Sequence, residues 1–240
     1  MKKTLLISGV LLALTATVAS AAGINLSWTD CGTNGQLNRN FACNITGNPP
    51  NVLIASYDPP TGLTKVSGIN TIMDLQTLSP IGATSWWDLF NSGSCRSAVP
   101  FANISFPFTC NDYFQGGGSG GITAYIPTGT NRRRLGGSWS QGEANLGPVP
   151  AGTETYALQI VISNALTTTC NAGCSEAACI VFNDLLISQP IGEPIGSPSL
   201  GNALGRNWVT WQGGAIAAPG CPQATPTINR TWGQVKSIYR

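Results

Sequence analysis

The chain has 240 residues, of which 12 are Lys or Arg, 10 are Asp or Glu and none is His. Charged residues make up 9% of the chain, against about 25% in a typical soluble protein. The absence of histidine excludes a Ser-His-Asp triad, a Cys-His dyad and the usual histidine zinc sites. Polarity is carried by Asn, Thr, Ser, Gln and Gly, which is typical of neutral surfaces that bind through hydrogen bonds.

The first 21 residues are predicted to be a secretory signal peptide. Lys2 and Lys3 give the charged start, residues 5–18 are apolar, and Ala19-Ser20-Ala21 fits the small-residue cleavage pattern. The apolar run is short for a membrane span, and no later stretch approaches the roughly 20 apolar residues that a span needs. We therefore expect a bacterial protein, secreted to the extracellular space or the periplasm after cleavage near Ala21, with no membrane span.

The charge balance argues against a polyanionic partner. Without Lys2 and Lys3, basic and acidic residues are equal at 10 each, so neither nucleic acid nor anionic lipid is expected to bind electrostatically. The one charge cluster is Arg132-Arg133-Arg134. It is interpreted as a solvated strand edge that hinders strand-to-strand aggregation.

Short apolar segments separated by frequent turn residues predict strands and no long helix. The two strongest are 156–163 and 179–188, which are expected to be neighbouring strands at the centre of the fold. The predicted fold class is all-β: a disulfide-stabilised antiparallel β-sandwich, jelly-roll-like, with little helix. Residues 22–220 are expected to form one domain, and residues 221–240 a C-terminal segment that either docks on it or acts as a sorting or attachment tail. Other predicted strands are 23–28, 52–57, 68–76, 122–126, 132–139 and 207–212.

Eight cysteines in an exported chain predict four disulfides. Proximity in sequence favours two local bridges, a third bridge inside the 170–179 loop and a fourth from that loop to the C-terminal segment. A metal–thiolate site is not expected, because the cysteine spacing fits no standard zinc pattern. The local pairs are Cys31–Cys43 and Cys95–Cys110, and the other cysteines are Cys170, Cys174, Cys179 and Cys221.

Exposed tryptophans next to amides and carboxylates are the candidate ligand-binding groups. A flat indole ring can stack on the apolar face of a sugar, whose hydroxyl groups then find Asn, Gln or Asp. The alternative for each ring is core packing, and residues 208 and 211 would face opposite ways on a strand. The candidate residues are Trp86, Trp87, Asp88, Trp208, Trp211 and Gln212.

The composition favours a secreted or surface-associated, non-enzymatic module that binds neutral glycan or a cell-envelope polymer. One alternative is a structural or assembly protein of the extracellular layer. A second is a glycan-active enzyme, which needs two carboxylates; Asp74 and Asp184 lie in predicted strands, but no spacing marks them as a pair. The other acidic residues, Asp112 among them, mostly adjoin turn residues and are expected to cap turns. No catalytic residue, metal site or cofactor is predicted, and the oligomeric state is left open.

Overall fold

The computed structural model describes residues 22–47, 50–99, 101–103 (backbone only) and 107–213. The predicted signal peptide, the C-terminal segment 221–240 and Cys221 lie outside this part of the chain. The described part contains eleven strands. They are β1 (Gly23–Trp28), β2 (Asn38–Arg39), β3 (Asn51–Asp58), β4 (Gly68–Thr77), β5 (Phe101–Asn103), β6 (Ser119–Gly129), β7 (Arg132–Ser140), β8 (Thr155–Ile162), β9 (Ala178–Ser188), β10 (Ser199–Leu200) and β11 (Trp208–Trp211).

The strands form two sheets that pack face to face. The small sheet has the order β1-β3-β8-β5, and the large sheet has the order β2-β11-β9-β4-β7-β6, with β10 beside β9. All pairs are antiparallel except β2 with β11. Helical structure in the described residues is limited to two 3₁₀ turns, Gly32–Asn34 and Glu143–Asn145. The predicted all-β, sandwich-like fold is therefore confirmed.

No helix within the described ranges is both long enough and apolar enough to cross a bilayer.

Apolar and polar residues alternate along part of β4, one of the predicted strands. In β4, Ile69, Met73 and Leu75 are buried, whereas Asn70 and Ile72 between them are exposed. Successive side chains of a strand point to opposite faces, so one face of β4 lies in the core and the other faces outward. In β8, by contrast, all eight residues are buried.

The expectation that the two strongest apolar segments are neighbouring strands is wrong. β8 lies in the small sheet between β3 and β5, whereas β9 lies in the large sheet between β4 and β11. Residues 163–177 connect them from one sheet to the other. An apolar run indicates burial but not the identity of the neighbour, and facing strands of a sandwich carry the same pattern as paired ones.

The two sheets approach each other closely where one of them carries a glycine. A Cβ on Gly137 of β7 would lie only 3.0 Å from Cδ2 of Leu158 on β8. Farther along, the indole nitrogen of Trp28 on β1 donates to the carbonyl oxygen of Thr210 on β11 at 2.9 Å. Side chains of both sheets therefore interdigitate in one apolar core.

The disulfides connect distant parts of the chain, so the predicted local pairs are wrong. The cysteine partners are 79, 131 and 75 residues apart. No bridge closes within the 170–179 loop, because two of its cysteines bond to residues elsewhere; Cys179 is disulfide-bonded as well. The prediction for Cys221 lies outside the described residues. The observed pairs are Cys31–Cys110, Cys43–Cys174 and Cys95–Cys170.

One edge strand of the large sheet, β6, is hydrogen-bonded to an irregular loop. Nδ2 of Asn91 donates to the carbonyl oxygen of Tyr125 at 2.6 Å, and the hydroxyl of Tyr125 donates to the carbonyl oxygen of Trp87 at 2.7 Å. An uncovered edge strand offers free peptide groups to other chains. The segment around Asn91 covers the middle of this strand.

Candidate functional site

Three of the four tryptophans predicted to bind a ligand lie in the core. Trp86, Trp87 and Trp211 are 0%, 1% and 0% exposed. The rings of Trp86 and Trp211 stack with centroids 4.7 Å apart and 26° between their planes, and Trp87 meets both edge-on. Stacking on a sugar needs an exposed ring face. These three rings therefore pack in the core, which is the alternative considered for each of them, and have no exposed face for a sugar.

A buried arginine completes this aromatic cluster. Arg96 is 0% exposed, and its guanidinium carbon lies 4.0 Å from the centre of the Trp86 ring. It donates to the carbonyl oxygens of Trp86 at 2.9 Å, of Ala165 at 3.1 Å and of Ser163. Burial lowers the pKa of Arg96 to about 10. The role of Arg96 is structural, since it fixes the loops around the tryptophans.

The other members of the predicted set do not converge on one site. Asp88 accepts a hydrogen bond from the backbone nitrogen of Cys95 at 3.1 Å, and Gln212 donates through Nε2 to the carbonyl oxygen of Phe41 at 2.6 Å. Both side chains thus hold loops in place. Trp208 is half-buried on the outward face of the large sheet, away from the other indoles. Ligand contact by Trp208 stays a prediction.

The two strand carboxylates considered for catalysis also have structural partners. Asp74 accepts two hydrogen bonds from Arg134, at 2.8 and 2.9 Å, and one from Nδ2 of Asn183 at 2.8 Å. Asp184 accepts a hydrogen bond from the hydroxyl of Ser199. The bidentate pair with Arg134 is partly exposed, so it contributes at most about 1 kcal/mol to stability.

A cleft of about 520 Å³ lies at the end of the sandwich where β6 begins and β7 ends. Two loops form it: residues 111–117 lead into β6, and residues 141–150 lead out of β7. Most of its side chains are amides or aromatic rings, and we name it the amide cleft. The described residues that line it are Asn111, Asp112, Tyr113, Phe114, Gln115, Gly117, Gln141, Asn145, Pro148 and Pro150.

The first loop of the amide cleft is anchored at its start. Cys110 is bonded to Cys31 and directly precedes the cleft residue Asn111. The backbone nitrogen of Asn111 donates to the carbonyl oxygen of Glu154 at 2.9 Å, and its carbonyl oxygen accepts from the nitrogen of Tyr156 at 2.8 Å. These bonds fix the loop to the beginning of β8.

Asp112 shapes the turn that follows. Its Oδ1 accepts a hydrogen bond from the backbone nitrogen of Gln115 at 2.9 Å, which is the capping role expected for such acids. Gln115 has φ 47°, followed by Gly116 at φ 73° and Gly118 at φ 93°. Glutamine rarely adopts this left-handed conformation, and strained residues of this kind concentrate at functional sites. The turn leaves the Gln115 side chain exposed.

Tyr113 joins the two walls of the amide cleft. Its hydroxyl lies 2.8 Å from the carbonyl oxygen of Val66 and 3.0 Å from that of Gly147, and it accepts from the nitrogen of Gly147 at 3.0 Å. Gln141 donates through Nε2 to the same Val66 oxygen at 3.0 Å and to the carbonyl oxygen of Asn145 at 3.1 Å. Burial raises the pKa of Tyr113, so its hydroxyl keeps the proton that these bonds require.

Three amide side chains of the cleft are free to bind a ligand. Those of Asn111, Gln115 and Asn145 are exposed and make no hydrogen bond to any described residue. Nδ2 of Asn145 lies 3.9 Å from where a Cβ on Gly117 would sit, so it faces the first loop. Each amide offers two donor hydrogens and an acceptor oxygen. Such a set can match the hydroxyl groups of a polar ligand.

No sequence pattern predicts this cleft, and Asp112 was expected to cap a turn. Amides in loops have no characteristic spacing, so neither loop stands out as a motif. The sequence does predict two consecutive strands here, 122–126 and 132–139. They pair as β6 and β7, which sets Ser119 opposite Ser140 and brings both loops to one end of the sandwich.

No protein-family model, curated protein or solved structure matches this chain.

Proposed function

We propose that this protein is a secreted or surface-associated, non-enzymatic module that binds a neutral glycan or another hydroxyl-rich polymer of the cell envelope in the amide cleft. The observation that carries the proposal is the set of three free amides, Asn111, Gln115 and Asn145, on the walls of one preformed cleft. The volume of about 520 Å³ falls within the usual range of ligand pockets.

Neutral sugars suit this lining because each hydroxyl is both a donor and an acceptor, as is each amide. The walls are fixed before any ligand arrives, since Tyr113 and Gln141 bond them to Val66 and a disulfide holds the first loop. Preorganisation lowers the entropy cost of binding. An uncharged ligand with many hydroxyl groups can therefore gain useful affinity here.

Binding without turnover is favoured by the carboxylates. Glycoside hydrolysis uses a pair of them across the scissile bond, whereas Asp112 is the one carboxylate among the described residues that line the cleft. One Asp112 oxygen is already occupied by the turn. Export is supported by the disulfides, which persist in oxidising compartments, together with the predicted signal peptide.

The test is retention of the mature chain, residues 22–240, on a panel of insoluble neutral polysaccharides and envelope fractions, with released sugar assayed in the same tubes. The double variant Asn111→Ala with Asn145→Ala should weaken binding roughly tenfold or more, at about 1 kcal/mol for each lost hydrogen bond. Asn44→Ala is the matched control, because Asn44 is also an exposed amide without a hydrogen-bond partner among the described residues.

Retention of the wild type and the control, with loss in the double variant, would support the proposal. Equal retention of all three proteins would show that the ligand binds elsewhere. No retention on any material would contradict the glycan hypothesis, and release of sugar would contradict the non-enzymatic one.

A further inference from the structure

The one charged side chain among the described residues that line the amide cleft is acidic. Asp112 lines the cleft, and its Oδ2 makes no hydrogen bond to the described residues, since Gln115 bonds to Oδ1 alone. No Lys or Arg occurs among the described lining residues. Glu143 is exposed and belongs to the same 3₁₀ turn as the cleft residue Asn145. Both charged side chains of the two cleft loops are therefore acidic.

Neither Lys65 nor the arginine run of β7 places an unpaired positive charge at the cleft. Lys65 adjoins the Val66 anchor, but its Nζ lies 3.1 Å from Oε1 of Glu193. Arg132 starts β7 and Ser140 ends it beside the cleft. At about 3.3 Å per residue this strand separates the arginine run from the cleft by roughly 20–26 Å, well beyond the screening distance of about 8 Å at physiological salt.

From this arrangement we infer that the amide cleft selects glycans that carry free ammonium groups, as in polymers of non-acetylated amino sugars, over neutral glycans, and excludes acidic ones. The inference rests on the proposed function and names the ligand class for the same cleft. An ammonium group donates to the free Oδ2 of Asp112 in a charge-assisted hydrogen bond, which is about twice as strong as a neutral one. The carboxylate of a uronic acid would lie next to Asp112 with no Lys or Arg among the described lining residues to compensate it.

The test compares oligomers of equal length made of glucosamine, N-acetylglucosamine and galacturonic acid, at a pH where the sugar amine is protonated. Calorimetry on the mature chain should give about tenfold tighter binding of the glucosamine oligomer than of the acetylated one. The galacturonate oligomer should not bind detectably. Salt at about 1 M should reduce the preference, because screening then acts over about 3 Å.

Asp112→Asn is the decisive variant. Asparagine keeps an Oδ1 that can accept from the Gln115 nitrogen, so the turn is retained while the charge is lost. The variant should bind both amino-sugar oligomers equally and leave the affinity for the acetylated one within about threefold. Glu143→Gln is the matched control, since it removes a nearby exposed charge outside the cleft lining and should retain most of the preference.

The outcomes separate this inference from the proposed function. Equal binding of the glucosamine and acetylated oligomers by the wild type overturns the inference and leaves the glycan-binding function standing. A preference that survives Asp112→Asn overturns the assignment to Asp112. Absence of binding to all three oligomers and to every polysaccharide of the panel overturns both.

Discussion

The hydroxyl of Tyr113 and the side-chain amide of Gln141 donate to the same acceptor, the carbonyl oxygen of Val66, at 2.8 and 3.0 Å. Val66 lies between β3 and β4, whereas Tyr113 and Gln141 belong to the two loops of the amide cleft. Both walls of the cleft are thus fixed to a third piece of backbone. A shift of one loop should therefore affect the position of the other.

Tyr113→Phe should lower the free energy of unfolding by about 1–2 kcal/mol, because it removes the hydroxyl that donates to the carbonyl oxygen of Val66 and accepts from the nitrogen of Gly147. Gln141→Ala should have a smaller effect. Because both side chains share one acceptor, urea denaturation of the double variant should depart from additivity by at least about 0.5 kcal/mol. Strictly additive losses would mean that the two bonds form independently.

Tyr57 and Tyr125 allow a matched comparison of one chemical change. The hydroxyl of Tyr57 is buried and makes no hydrogen bond to a described residue, whereas that of Tyr125 donates to Trp87 at 2.7 Å. Burying an unpaired hydroxyl costs free energy. Tyr57→Phe should therefore raise the free energy of unfolding by up to about 1 kcal/mol, and Tyr125→Phe should lower it by about 1–2 kcal/mol. Equal losses in both variants would contradict this assignment.

Stability should fall in alkaline solution. Burial raises the pKa values of Tyr57, Tyr113, Tyr125 and Tyr156, while in the unfolded chain tyrosine titrates near pH 10. Above about pH 10 the unfolded state binds fewer protons than the folded state, so the free energy of unfolding decreases as the pH rises. Below that pH these groups contribute no slope.

Burial lowers the pKa of Arg96 to about 10 and also lowers that of Arg206, which acts in the opposite direction, but these are two groups against four. Urea denaturation at pH 9 and pH 11, with absorption of the tyrosinate ion as a second signal, measures the balance. Native protein at pH 11 should show less tyrosinate than urea-unfolded protein. A stability that does not change between the two pH values would show that the arginines compensate the tyrosines.

Asn91→Ala should increase self-association. The change removes the donor to the Tyr125 carbonyl oxygen and loosens the loop that lies along β6. Free peptide groups of an edge strand then become available to a second molecule. Sedimentation velocity at increasing protein concentration should show larger species in this variant than in the wild type or Asn44→Ala. Identical profiles for all three would mean that the edge is protected by other means.

Local sequence patterns predicted the strands well, because burial of alternate residues is a local property. The alternation in β4, with Ile69 and Met73 inward and Asn70 outward, is sufficient to place that strand. The pattern does not contain the identity of the neighbouring strand. For β8 and β9 burial was predicted correctly, whereas the sheet to which each belongs depends on how residues 163–177 cross the core.

Contacts between distant parts of the chain could not be predicted in the same way. Cys31 bonds to Cys110, 79 residues later, although Cys43 is much closer in sequence. Tryptophans next to polar residues suggested a sugar platform, but a large ring gains more free energy in the core. Trp86 and Trp211 follow that rule. The amide cleft depends on Asn111 and Asn145 meeting at one end of the sandwich, and neither residue has a neighbour that signals it.

The stacked pair Trp86 and Trp211 has an optical consequence. Two indole chromophores 4.7 Å apart, with 26° between their planes, couple their excited states and add a signed pair of bands to the far-ultraviolet circular dichroism. These bands will overlie the weak signal of the sheets, so the spectrum of the folded protein will not resemble that of a simple β-protein. Trp211 pairs with Ala178, at the end of β9 away from the amide cleft. The bands will therefore report whether the core is packed, and they will stay constant when the cleft is filled.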